Sequence, residues 1–203
     1  GPVQGGERDR RDVTVAIAGR AVAGQMSFDC IGRPGGLTLQ QAHKESKPTM
    51  SAKYVIGIDL GTTNSVLAYA PLEAEEPQLA ILSVPQLVAP GVIESRTTLP
   101  SFLYLAPQHE CTGGVMDLPW ATGRDYVVGE FARRQAAEAP QRTVGAAKSW
   151  LCHSRVDRRQ PILPWNAPAE VAKVSPVTAS QRYLEHLAAA WEHAFPDAPI
   201  AQQ

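Results

Sequence analysis

The chain has 203 residues, 44% of them hydrophobic, with 19 Lys and Arg against 20 Asp and Glu for a net charge of -1. That balance leaves no basic footprint for nucleic acid and no blocks of charge that name a partner. No apolar run approaches the roughly 20 residues of a membrane span, so a soluble protein is expected. Cys30, Cys111 and Cys152 are widely spaced without a Cys-x-x-Cys pair, which argues against a disulfide framework or a zinc site and favours a reducing compartment.

Residues 1–49 differ from the rest. A mixed charge cluster runs from Glu7 to Asp12, an apolar run from Val13 to Gly19, and a glycine-rich loop from Gly32 to Gly36. Arg20 interrupts the apolar run too early for a secretory signal. The segment is expected to be a disordered extension or mis-translated upstream sequence, with Met50 as the true start.

The most informative stretch follows. Val55, Ile56, Ile58 and Leu60 form one short apolar run and Val66, Leu67 and Tyr69 another, which predicts two buried strands around the turn Gly61-Thr62-Thr63-Asn64. Glycine permits close backbone approach, and successive N–H groups with two hydroxyls in a tight turn can cradle anionic oxygens. Asp59, ending the first strand, is costly to bury alone, and a hydrated magnesium ion between phosphates supplies a partner through its waters. The plain alternative is a hairpin whose Gly and Asn serve only the turn.

Further along, Gln78 to Val84 reads as a third strand, Ser101 to Leu105 as a fourth and Tyr126 to Val128 as a short fifth. Glu130 to Ala139 reads as a helix closed by Pro140, and Thr143 as the cap of a helix through Ala146, Ala147, Lys148 and Leu151. Pro161 to Pro168 is irregular, with Trp165 expected to pack a loop. Thr178-Ala179-Ser180-Gln181 reads as a capping box opening a helix. Leu184, Leu187, Ala188, Trp191 and Phe195 would be its core stripe, with His186 and His193 solvated. Cys152-His153 has no visible third partner for a metal or nucleophile role.

Four motifs in order resemble the heat-shock protein 70 (DnaK-type) chaperone family. Gly57 to Ser65 is similar to its first phosphate motif. Arg96-Thr97-Thr98-Leu99-Pro100-Ser101 is similar to its Arg-Thr-Thr-Pro-Ser element with Leu99 inserted. Val128 to Ala136 is similar to its Val-Gly-x-x-Ala-x-x-Gln segment, and Ala147-Lys148 to its Ala-Lys pair. Ser149, Trp150 and Cys152 depart from the usual continuation.

The resemblance implies an α/β chain of the actin-like ATPase (ribonuclease H-like) fold. Residues 50–203 would form a partial lobe I of the nucleotide-binding domain, with a mixed β-sheet and flanking helices, ending before the second phosphate motif. It implies ATP and ADP with Mg as ligands, Asp59 in the magnesium water shell, and Gly61, Thr62, Thr63 and Asn64 as the phosphate cradle. Lys148 would position the attacking water and stabilise transition-state charge. The implied partners are unfolded or partly folded polypeptides and co-chaperones, a J-domain protein and a nucleotide exchange factor, in the cytoplasm. Half of a two-lobed cleft is expected to bind ATP weakly. Sugar-type kinases and actin-like filament proteins share the turn and stand as alternatives, which the Arg96 to Ser101 element and the Lys148 helix disfavour.

Overall fold

The computed structural model describes residues 15–16 and 52–203. The expected extension over residues 1–49 and the start at Met50 lie outside the described residues, apart from β1 (Val15–Ala16). That short strand pairs with the edge of β2 (Tyr54–Leu60), Val15 opposite Ile58 and Ala16 opposite Gly57. β2 and β3 (Asn64–Pro71) form the expected hairpin, in register from Tyr54 opposite Pro71 to Leu60 opposite Ser65. The expected pair of fully buried strands is only half realised. Tyr54, Ile56, Ile58 and Leu60 pack on the core, whereas Val55, Gly57 and Asp59 alternate to an exposed face and Val55 is 55% accessible.

The expected third strand breaks. Only β4 (Ala80–Ile81) pairs with β3, because Leu82 and Val84 drop into the core while Leu79 stays 77% exposed. The chain then forms an unanticipated hairpin of β5 (Val84–Ala89) and β6 (Val92–Arg96), turned at Pro90-Gly91 where Gly91 has a φ of +70°. β7 (Leu99–Pro100) joins the far end of β3 and completes a five-stranded sheet. β8 (Phe102–Leu105) and β9 (Tyr126–Val128) form where predicted.

Helix α1 (Glu130–Glu138) matches its prediction. Thr143 caps no helix. It opens β10 (Thr143–Gly145), which pairs with β8, and its hydroxyl donates to the Ala139 carbonyl at 3.0 Å. Val144 is buried there, so the β-branched pair serves the sheet. Helix α2 (Ala147–Leu151) begins only after Ala146, in the left-handed region at φ 52°.

Helix α3 (Pro176–Ala194) starts before the expected capping box. Ser175 is the N-cap, accepting from the Thr178 N–H at 2.9 Å, and Pro176 occupies the first turn. Its inward face runs through Ala179, Tyr183, His186, Leu187, Ala190 and Trp191, rotated from the expected stripe, so Leu184 is 38% exposed. His186 is therefore buried rather than solvated, while His193 is exposed.

The result is a mixed α/β chain with few helices, and every pairing between described strands is antiparallel rather than mixed. The β2–β3 and β5–β6 pairs join through short turns, whereas β8 pairs with β9 and β10 across longer connections. Leu67, Leu99, Leu103, Val128, Leu187 and Trp191 form the main core, between the hairpin and α3. Among the described residues no helix is long and apolar enough to cross a membrane.

Candidate phosphate-binding turn

The turn begins where β2 ends. A Cβ on Gly61 would collide with the carbonyl oxygen of Asn64, so only glycine lets this loop close as it does. Thr62, Thr63 and Asn64 are exposed, as is Asp59.

The Arg96 to Ser101 element comes back against this loop. The Ser101 N–H donates to the Thr63 carbonyl at 2.8 Å, and the Ser101 hydroxyl donates to the Gly61 carbonyl at 2.9 Å. The hydroxyls of Ser101 and Ser65 lie 2.9 Å apart, and both residues are buried. Two carbonyls of the loop are thereby occupied from within. Among the described residues the N–H groups of Thr62 and Thr63 have no acceptor, and the Asp59 carboxylate has no hydrogen-bond or ion-pair partner. A loop with two carbonyls engaged from within and two amides without an acceptor suits anionic oxygens.

The segment leading to Ser101, between β7 and β8, is itself anchored. Gln86 is fully buried in β5. Its amide nitrogen donates to the Thr98 carbonyl at 2.9 Å, and its amide oxygen accepts from the Glu130 N–H at 2.9 Å, capping α1 from another element. Gly129 must be glycine for this, since its φ is +99° and a Cβ would lie 2.7 Å from that oxygen.

Arg96 has a structural role. It bonds Glu94 at 2.9 Å and approaches the buried Glu130 carboxylate at 3.5 Å, which Arg133 and Arg134 also bond at 2.8 and 3.1 Å. The Arg133 hydrogen bonds pull the Glu130 carboxyl below its ordinary value, burial opposes them, and Arg134 and Arg96 add to the lowering.

Of the residues expected at the site, the structure thus brings Gly61 and Thr63 into one bonded cluster with Ser65 and Ser101. Lys148 stands apart, half-buried in α2, and among the described residues it has no hydrogen-bond or ion-pair partner and no bond to the turn. Ser65, Ser101 and Gln86 are the residues that motif reading passed over. A serine at the second position of an otherwise apolar strand was the available sign.

Other chemistry-bearing groups lie elsewhere. Two open cavities of about 600 and 540 Å3 are lined by other residues, Cys111 and Asp125 in the first and Phe131 and Arg134 in the second. Burial, then Asp125 and Glu110, push the Cys111 thiol up, which makes it a poor nucleophile. Trp165 is 55% exposed and stacks on Trp150 at 5.0 Å. Among the described residues no three His, Cys, Asp or Glu side chains gather to ligate a metal directly. Asp59 alone fits a magnesium ion only through water. No protein-family model matches the chain.

Proposed function

We propose that this chain supplies the phosphate-binding turn of an actin-like ATPase of the DnaK chaperone type, coupling ATP hydrolysis to the binding of unfolded polypeptides in the cytoplasm, with J-domain and nucleotide-exchange partners. The observation that carries the reading is the polarity of the Gly61 to Asn64 loop, whose Gly61 and Thr63 carbonyls bond Ser101 while the Thr62 and Thr63 amides have no acceptor among the described residues. The order of the four motifs adds the chaperone assignment within the fold.

In this reading the Thr62 and Thr63 amides and hydroxyls, with Asn64, hold the β- and γ-phosphate oxygens. Asp59 would hold a magnesium ion through its waters, which would supply charge to neutralise the phosphates. Lys148 orients the attacking water and stabilises the charge that develops on the γ-phosphate. Half-buried on α2 and without an ion-pair partner among the described residues, its ammonium is available for that role.

The test is single-turnover ATP hydrolysis by the full-length protein. Lys148→Ala and Thr63→Ala are each expected to slow it by at least about tenfold, the scale of a lost transition-state donor. Unchanged rates in both would overturn the assignment. Product analysis belongs to the same experiment: ADP with free phosphate supports an ATPase, and a phosphorylated sugar would show a kinase of the same fold.

A further inference from the structure

We infer that Ser101 is a positioning residue for nucleotide phosphates: its hydroxyl keeps the Gly61 carbonyl engaged within the protein and so holds the loop in its anion-accepting form. This rests on the phosphate-binding reading above.

A serine hydroxyl carries one proton. In Ser101 that proton goes to the Gly61 carbonyl, so the 2.9 Å contact with Ser65 has Ser65 as donor. The order is Ser65 hydroxyl to Ser101 hydroxyl to Gly61 carbonyl, enclosed at both serines. Gly61 is also the residue at which the loop tolerates no side chain. Loss of the Ser101 hydroxyl would leave the Gly61 carbonyl without its internal donor, and a peptide turned towards the ligand would then set its lone pairs against a phosphate oxygen.

The docking of the strand does not depend on this hydroxyl. The Ser101 N–H still bonds Thr63, β7 still pairs with β3, and Gln86 still holds Thr98. Ser101→Ala therefore frees the Gly61 carbonyl alone and leaves the backbone support of the loop in place. Ser65→Ala removes only the donor to Ser101 and is the milder change.

Calorimetric titration of the full-length protein with MgATP, and separately with adenosine, tests this. Ser101→Ala is expected to weaken MgATP by about tenfold, the upper scale of one neutral hydrogen bond lost within the protein, and Ser65→Ala by about threefold. Adenosine affinity should not change, and Ser101→Thr, which keeps the hydroxyl, should restore MgATP binding. Wild-type protein that binds no MgATP overturns the phosphate-binding reading and this inference with it. Wild-type binding that Ser101→Ala leaves intact overturns this inference alone. Equal loss of MgATP and adenosine in Ser101→Ala also overturns it, since a general loss of structure would then explain the effect.

Discussion

His186 shows how one side chain sets a pH dependence. Its ring is enclosed on α3, 5.4 Å from the Trp120 ring. A carbonyl only accepts, so the 2.9 Å contact with Pro85 places the proton on Nε2, and among the described residues Nδ1 has no partner. Burial lowers its pKa from 6.5 to about 4; the Pro85 carbonyl opposes that and Arg124 assists it. Between those two values the unfolded chain binds more protons than the folded one. Stability is therefore full above pH 6.5 and declines towards pH 4, by about 3 kcal/mol. Glu130, a carboxyl lowered from 4.5, contributes stability that is lost only below that value, so the window from 6.5 to 4.5 isolates the histidine. Urea midpoints across that window should fall for wild type and flatten for His186→Gln, which keeps a donor for Pro85. An equal slope in both would reject the assignment. The burial of His186 was not legible in the sequence, because the same run of apolar residues fits two helical stripes about one position apart and histidine suits either side.

At the scale of elements, the β2–β3 hairpin was legible and the β5–β6 hairpin was not. The first alternates apolar residues around a loop of small residues, the pattern that strand pairing imposes. The second mixes Pro85, Gln86 and apolar residues, and its one clear sign was Pro90-Gly91. Gln86 reads as a surface residue in isolation and proves to be the joint between β5, the strand before Ser101 and α1. Gln86→Leu would strand the buried Glu130 N–H and free the part-buried Thr98 carbonyl, at about 1 to 3 kcal/mol, most of it from the amide. Equilibrium urea unfolding measures this; a change below about 1 kcal/mol would mean that other partners replace the amide. The role proposed for Ser101 was not legible from its motif either, since it depends on a bonded contact 40 residues away, with Gly61.

At the scale of the described residues, the main core lies where α3 packs on α2 and on β3, β5, β8 and β9. Trp191 and Leu187 have no exposed surface there, and Tyr54, Tyr69 and Phe195 surround Trp191 at 5.4, 5.3 and 4.2 Å. β6 is the opposite case, exposed over Val92 to Ser95 and paired on one side only. Native-state hydrogen exchange should show α3 amides from Tyr183 to Trp191 opening only with global unfolding and β6 amides opening locally. Comparable protection in both would show that the ribbon is held more firmly than its burial implies. The α/β class was readable from periodicity, because strands and helices each leave a local signature. The all-antiparallel pairing among described strands was not, since which edges meet depends on contacts far apart in sequence.

The setting of Trp191 also gives the protein a spectral signature. Its indole N–H donates to the Ala198 carbonyl at 2.7 Å and its ring has no exposed surface, whereas Trp150 and Trp165 stack near the surface. The blue edge of the emission spectrum therefore belongs to the α3 core and the red edge to the Trp165 loop. A single fluorescence trace thus separates loss of the core from rearrangement of the loop, without any label.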